Sequence, residues 1–482
     1  MFLGLDVGTQ AARAVIATPS GEVLAEGGEG LRLSERELPA GWAEQDADEW
    51  WRAAKVAVAE ALGSLRHAGR DVGELKALAV DSTSGTIVLV GDDLRPLRPA
   101  LMYNDNRAVA EAEEVNAAGR ELCEKLGYRF GPAFALPKLL WLARHEPDVL
   151  AKAHRVLHAA DFLLARLTGC DEVSDTSNAL KTGCDLVSKQ WPQFITRDLG
   201  LPDGLLPALA TPGEPVGQVT AQAAAETGLP AGLTVVAGCT DGTAAFIASG
   251  AAQPGDVNSN LGTTLVVRSV ARQLVRDPLG RIYCHAHPDG LWLPGGASNV
   301  GGEILASQFP GADYGELDRQ AAGLVPTALL SYPLARTGER LPFVSPTAEG
   351  FLVGSAASDA ERYAAYLEGV AFVEKWVYEV LAGLGAEEPM GIYVTGGGAR
   401  SELWLRIRAS ALDRRLHRPA RAESAFGAAI LAASRTHYGS LLDSCREMVR
   451  MEHTVEPVEG LVRAYADSYR AFRNECERRG YG

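Results

Sequence analysis

Residues 3–17 read LGLDVGTQAARAVIA, and the rest of the chain takes its meaning from them. Leu3-Gly4-Leu5-Asp6-Val7 is a short apolar strand with a carboxylate near its end. Gly8-Thr9-Gln10 is a tight turn, and Ala14-Val15-Ile16-Ala17 is a second apolar strand. Two apolar runs joined by a glycine-bearing turn predict a β-hairpin. Its tip gathers a carboxylate, a glycine, a hydroxyl and several backbone N–H groups. That set suits a polyphosphate with its Mg2+: glycine lets the backbone come close, N–H and hydroxyl donate, and the carboxylate places the metal. A plain hairpin whose turn is capped by Asp6 fits the same residues.

The theme returns at residues 256–267, where DVNSNL leads to Gly262-Thr263-Thr264 and then to LVV. Two such units, each opening about half of the chain, suggest an internal duplication with a cleft between the halves. At 482 residues the chain exceeds a comfortable single core, so two domains are expected. A boundary falls in SGAAQPGD, residues 249–256. The expected division is 1–248, 249–440 and a charged helical extension over 441–482.

Between the hairpins, several polar clusters sit at the ends of apolar strands, where ligands gather in open α/β sheets. LKALAV (75–80) runs into Asp81-Ser82-Thr83-Ser84-Gly85, which is also readable as an ordinary Ser/Thr/Gly turn. Tyr103-Asn104-Asp105-Asn106-Arg107 is dense in hydrogen-bonding groups. Asp105 there is either a ligand for hydroxyls or a helix N-cap. A short strand, 235–237, precedes Gly238-Cys239-Thr240-Asp241-Gly242-Thr243, and Asp241 is either a proton acceptor or another N-cap. The stretch 42–51, WAEQDADEWW, opens a helix with acids in its first turn, running to His67. Residues 108–170 read mostly as helices, with breaks at Gly127–Pro132 and Pro147, and 175–178 as loop. In the second half, GGASNVGG (295–302) is a glycine-rich loop entering a helix. GIYVT (391–395) is a strand followed by Gly396-Gly397-Gly398 and a helix start, a cradle for a purine or phosphate.

Composition narrows the function. Net charge is −15, which argues against general binding of nucleic acid or anionic membranes. The seven scattered cysteines include no CxxC, which suits a reducing cytosol and neither a zinc cluster nor a disulfide framework. No stretch has transmembrane length, so a cytoplasmic protein is expected. GxxxxGK[ST], HExxH and GxSxG are all absent from the sequence, which sets aside P-loop, zincin and α/β-hydrolase chemistry.

Taken in order, LDVGTQAARA, MYNDNRA (102–108), GCTDGTAA (238–245), NLGTT (260–264), GGASNVGG, YLEGVAF (366–372) and TGGGARSELW (395–404) resemble the FGGY family of carbohydrate kinases. The resemblance implies an α/β, duplicated actin-like (ribonuclease-H-like) two-domain fold with a central cleft. It implies ATP and Mg2+ as cofactors, and a small sugar as the other partner of a monomer or homodimer. Asp241 resembles the family's general base and also touches the acceptor. Asp6 resembles the carboxylate serving the metal and phosphates. Thr9, Gln10 and the Gly262-Thr263 turn resemble the phosphate-binding hairpins. Gly301, Gly397, Gly398 and Ser401 fall where the family holds the nucleotide, and Asp105 where it contacts sugar hydroxyls.

D-xylulose kinases of the family commonly carry Met-His-Gly where this chain has Thr83-Ser84-Gly85. DSTSGT, with ADFLLARLTG (160–169) and NALKTG (178–183), is more similar to the D-ribulose-type members, with Ser84 as a ketose ligand. The expected activity is therefore phosphorylation of D-ribulose at O5, with D-xylulose or another polyol as the alternative. A sugar- or nucleotide-binding regulator and an actin-like polymerising protein are the readings outside enzymes.

Overall fold

The computed structural model describes residues 1–32 and 37–482. It divides into two compact units. The first comprises Met1–Gly250, His285–Gly290 and Arg421–Val449; the second comprises Ala251–Cys284, Leu291–Ala420 and Arg450–Gly482. This departs from the sequential division into 1–248, 249–440 and 441–482. The cause lies in packing. The helix Ser424–Ala433 is apolar almost throughout and buries against the first unit's sheet and the helix Asp241–Ala248. A Cβ on Gly4 would strike the Ala425 carbonyl, and one on Gly427 the Ala244 carbonyl. The stretch 441–482 is likewise no single extension. Its helix Leu441–Met448 joins the first unit, while the strand Met451–Val455 and the helix Glu459–Arg478 join the second.

The first unit is built on a seven-stranded sheet. Phe2–Val7 and Ala11–Ala17 form the antiparallel hairpin, closing at Val7 opposite Ala12. Phe2–Val7 also pairs in parallel with Ala77–Ser82, placing Asp6 opposite Asp81 and Val7 opposite Ser82. Both strands are buried along their whole length, as parallel central strands require. The strand therefore continues through Asp81 and Ser82, two residues beyond the apolar run that announces it. The helix Ala47–His67 packs on the hairpin and on Val23–Gly30, burying Trp50, Ala54, Val58 and Leu62 at helical spacing. It starts at Ala47 with Asp46 as N-cap, so Trp42 to Gln45 lie outside it. Glu44–Gln45 instead adds to a small sheet with Ala100–Leu101, Ile87–Val90 and Arg155–His158.

The second unit repeats the plan. Asp256–Leu261 and Leu265–Ser269 form an antiparallel hairpin, and Asp256–Leu261 pairs in parallel with Gly391–Thr395. The long helix Asp359–Gly383 packs with Glu402–Leu412, and each unit has its own apolar core. The short repeat in sequence is thus matched by a repeat of strand order. Among the described residues no helix is long and apolar enough to cross a membrane.

Candidate active site

Three carboxylates of the first unit come together at the carboxyl ends of adjacent strands. Asp6 is the penultimate residue of the first strand, Asp81 lies opposite it in register, and Asp241 begins the helix after Cys239–Thr240, a short strand paired with Asp81 and Ser82. Asp81 is fully buried, and no donor among the described residues reaches either of its oxygens. Burial, aided by the charges of Asp6 and Asp241, holds its carboxyl well above the usual range. Asp6 is also raised by burial, with Asp81 and Arg13 acting the other way. Arg13 lies 3.6 Å from Asp6 but is largely exposed, so it balances little of the buried charge. The sequence does not single out Asp81 as a candidate site residue, because it reads there as the first residue of a polar turn. The available signal was the parallel partner: a strand that must lie beside LGLDV carries a carboxylate at the matching depth.

Neither Asp6 nor Asp241 is an ordinary cap. The hairpin turn is closed by the Gly8 N–H donating to the Ala11 carbonyl. At the helix Asp241–Ala248 the N-cap is Thr240, whose hydroxyl accepts from Thr243 N. Asp241 stands one position further on, half-buried, and accepts from Gly242 N at 2.6 Å. Beneath it the hydroxyls of Ser177, Thr240 and Thr243 bond one another at 2.9–3.2 Å, and Ser424 donates to the Asp241 carbonyl. Ser177 belongs to Thr176–Ala179, a buried helical turn capped by Asp175 where the sequence suggested loop. Its four residues are all buried polar or small, so no hydrophobic period marks them.

The turn bearing Ser84 is held by its backbone. Lys181 Nζ donates to the Ser84 carbonyl at 3.1 Å, and Lys138 Nζ donates to the carbonyls of Gly85 and Met102, each at 2.7 Å. Burial lowers Lys138 to a pKa of about 7. Thr83 and Thr86 bond each other, and Thr86 accepts from Tyr103 N. The Ser84 hydroxyl is buried, with no partner among the described residues. A buried hydroxyl in that state costs free energy unless a ligand engages it.

Asp105 is placed differently from the expectation. It is fully buried, and its two oxygens accept from Ala43 N, Arg107 N and the Arg107 guanidinium at 2.6–3.0 Å. It neither caps the following helix, whose N-cap is Ala108, nor opens to solvent. Its geometry serves to hold Arg107, which also donates to Glu44 and stacks on Trp42, 3.7 Å from the ring centroid.

In the first unit Thr9 is half-buried and Gln10 exposed at the hairpin tip. In the second unit Gly262 and exposed Thr263 form the equivalent tip. The glycine-rich loop locks onto it: Gly302 N donates to the Gly262 carbonyl and Glu303 N to the Thr263 carbonyl. Gly301 is buried against Thr263 and Thr264, and a Cβ there would lie 2.6 Å from Thr264 Cα. Gly398 is packed the same way, 2.6 Å from the Leu261 side chain. Both are glycines because the protein's own chain comes close. Gly262 and Gly397, by contrast, have open space where a Cβ would be, and so remain available to a ligand. The Ser401 hydroxyl caps the helix Glu402–Leu412 by accepting from Trp404 N.

Among the described residues no three carboxylate, imidazole or thiolate groups converge closely enough to hold a metal by themselves. Mg2+ bound through phosphates needs only one or two protein carboxylates. Asp6 beside an undonated Asp81 fits that need, since two adjacent buried carboxylates favour a cation.

Comparison with known proteins bears on the same residues. The N-terminal domain of the FGGY family of carbohydrate kinases matches residues 1–248, and its C-terminal domain matches residues 257–435. A xylulose kinase of Escherichia coli (strain K12) is 31% identical over 430 residues, covering 85% of this chain and 84% of its own. A xylulose kinase of Klebsiella pneumoniae is 30% identical over 501 residues, covering 98% of each. The crystal structure of xylulose kinase from Rhodospirillum rubrum superposes with a TM-score of 0.87 at 29% identity, covering 99% of this chain and 98% of that one.

Proposed function

Because this chain belongs to the FGGY family of carbohydrate kinases, we propose that it transfers the γ-phosphate of ATP to O5 of D-ribulose. Asp241 is the general base: Thr240 and Ser177 fix the start of its helix, and its carboxylate takes the proton of the attacking hydroxyl. In the first unit the Gly8-Thr9-Gln10 tip offers N–H and hydroxyl donors suited to phosphate; in the second, the Gly262-Thr263 tip offers the same kind of donors and Gly397 leaves room for a nucleoside. Mg2+ on the phosphates would neutralise charge developing during transfer, with Asp6 as the carboxylate that holds it. Positioning and charge are most of what phosphoryl transfer asks of a protein.

The acceptor assignment is carried by Ser84. Its hydroxyl is buried and without a partner among the described residues, on a turn clamped by Lys138 and Lys181 and three residues after Asp81. A ketose hydroxyl would satisfy it, and the small side chain leaves space that an imidazole would fill. D-xylulose is the second reading, favoured by the names of the relatives at 30–31% identity. The two sugars differ only in configuration at one carbon. A coupled ADP-release assay with D-ribulose, D-xylulose, L-ribulose, ribitol and glycerol separates them. The highest kcat/KM is expected for D-ribulose, and a tenfold preference for D-xylulose would overturn the assignment. ATP-independent sugar binding without turnover of any acceptor would instead favour a sugar-binding regulator on this fold.

A further inference from the structure

The stretch WAEQDADEWW has a use beyond starting a helix. Gln45 sits between the hairpin tip and the small sheet, and both ends of its amide are engaged. Its Nε2 donates to the Thr9 carbonyl at 2.8 Å, and its Oε1 accepts from Trp50 Nε1 at 3.0 Å. The indole N–H has only an acceptor as its partner, so it dictates which way the amide points. Trp50 is itself fixed, 1% exposed and edge-on to Phe162. The backbone of Gln45 is anchored too: Glu44–Gln45 pairs with Ala100–Leu101, and Met102 N donates to the Ala43 carbonyl. On the far side Ala43 N donates to Asp105, and Glu44 accepts from Arg107 and Arg98. A single side chain thus ties the Thr9 carbonyl to a rigid polar framework.

We propose that Gln45 is a positioning residue for nucleotide phosphate binding: by holding the Thr9 carbonyl away from the tip, it keeps the turn's N–H groups and the Thr9 hydroxyl directed at the phosphates. The proposal rests on the kinase reading above. A peptide unit has its N–H and C=O opposed, so anchoring the carbonyl of Thr9 also sets the direction of the next N–H, that of Gln10. Without the anchor, the bonds of the tip among the described residues are its Gly8–Ala11 closure and the bond from Leu31 N to the Gln10 carbonyl. Its donors would then have to be ordered at each binding event.

The test uses the full chain with MgATP and whichever acceptor the wild type turns over best. Gln45→Glu is nearly isosteric. It keeps an acceptor for Trp50 and replaces the donor to Thr9 by a carboxylate oxygen. Its KM for ATP should rise about tenfold while the acceptor KM moves less than twofold. Trp50→Phe, which frees the amide to flip, should raise the ATP KM in the same direction by a smaller factor. It should add nothing in the Gln45→Glu background, because the indole acts through Gln45. A merely structural role would lower the active fraction and leave both KM values alone. Unchanged ATP KM in Gln45→Glu, or additive effects in the double variant, would overturn the proposal. An inactive wild type would count against the kinase reading and not against Gln45; in that event MgATP binding by calorimetry gives the same comparison, with a tenfold weaker Kd expected for Gln45→Glu and an unchanged Kd overturning the proposal.

Discussion

Asp81 lies directly opposite Asp6 across two parallel, fully buried strands, and no donor among the described residues reaches its oxygens. Two carboxylates held this way repel unless a proton or a cation comes between them. A hydrogen bond joins the pair only when one of the two is protonated. The arrangement destabilises the empty protein and suits a site that receives Mg2+ with a polyphosphate.

That conflict sets a direction for stability. The folded-state pKa of Asp81 is raised above its usual value of 3.8 by burial and by Asp6 and Asp241. Its protonation therefore favours folding. The associated stability is present below the unfolded pKa and is lost as pH rises through the folded one. Asp81→Asn removes the charge at constant shape. In metal-free protein it should raise Tm at pH 8 by several degrees, with a much smaller effect near pH 4. The same variant should lose at least tenfold in kcat. Calorimetry at the two pH values, beside the activity assay, checks both parts.

Ser84 should control the acceptor and leave the nucleotide alone. Ser84→Ala should raise the acceptor KM about tenfold, the cost of one unmatched hydroxyl contact, with the ATP KM unchanged. Ser84→His should shift the ratio of kcat/KM values from D-ribulose toward D-xylulose. Steady-state kinetics with both sugars measures the shift.

The two consecutive glycines 397 and 398 should respond oppositely. A Cβ at Gly398 meets the Leu261 side chain at 2.6 Å, whereas one at Gly397 meets nothing within 4 Å. Gly398→Ala should lower stability by about 1–3 kcal/mol through overpacking. Gly397→Ala should fold normally and bind ATP more weakly. Thermal melts and ATP titrations distinguish the pair.

How far the sequence announced these features depends on what each residue does for the fold. Both hairpins and the strand Gly391–Thr395 are written in apolar runs bounded by glycine, so their placement could be read directly. The carboxylates at their tips could be noticed but not interpreted. Asp241 is indistinguishable from an N-cap until Thr240 is seen to fill that position. Asp105 resembles a ligand until its oxygens are seen bonded to Ala43 and Arg107. Residues 175–178 carry no period because the whole segment is buried and polar. The passage of 421–449 into the first unit leaves no local trace either, because it depends on Gly4 and Gly427 meeting distant backbone.

A buried ion pair supports the second unit's hairpin from behind. Arg408 donates to both oxygens of Glu374 at 2.7 and 3.0 Å and to Ser259 Oγ at 2.9 Å, and both ionic side chains are fully buried. Arg408→Met should cost about 3–5 kcal/mol by leaving Glu374 uncompensated. Adding Glu374→Leu should recover part of that loss. Denaturant unfolding of the single and double variants gives the two values.

The most direct measurement compares Asp241→Asn with the wild type, taking kcat together with acceptor and ATP binding. The amide keeps the shape of the site and cannot accept the hydroxyl proton. The account predicts a fall in kcat of roughly 10²–10⁴, with both ligands bound within a few-fold of wild-type affinity. A variant that phosphorylates the sugar at the wild-type rate would contradict it.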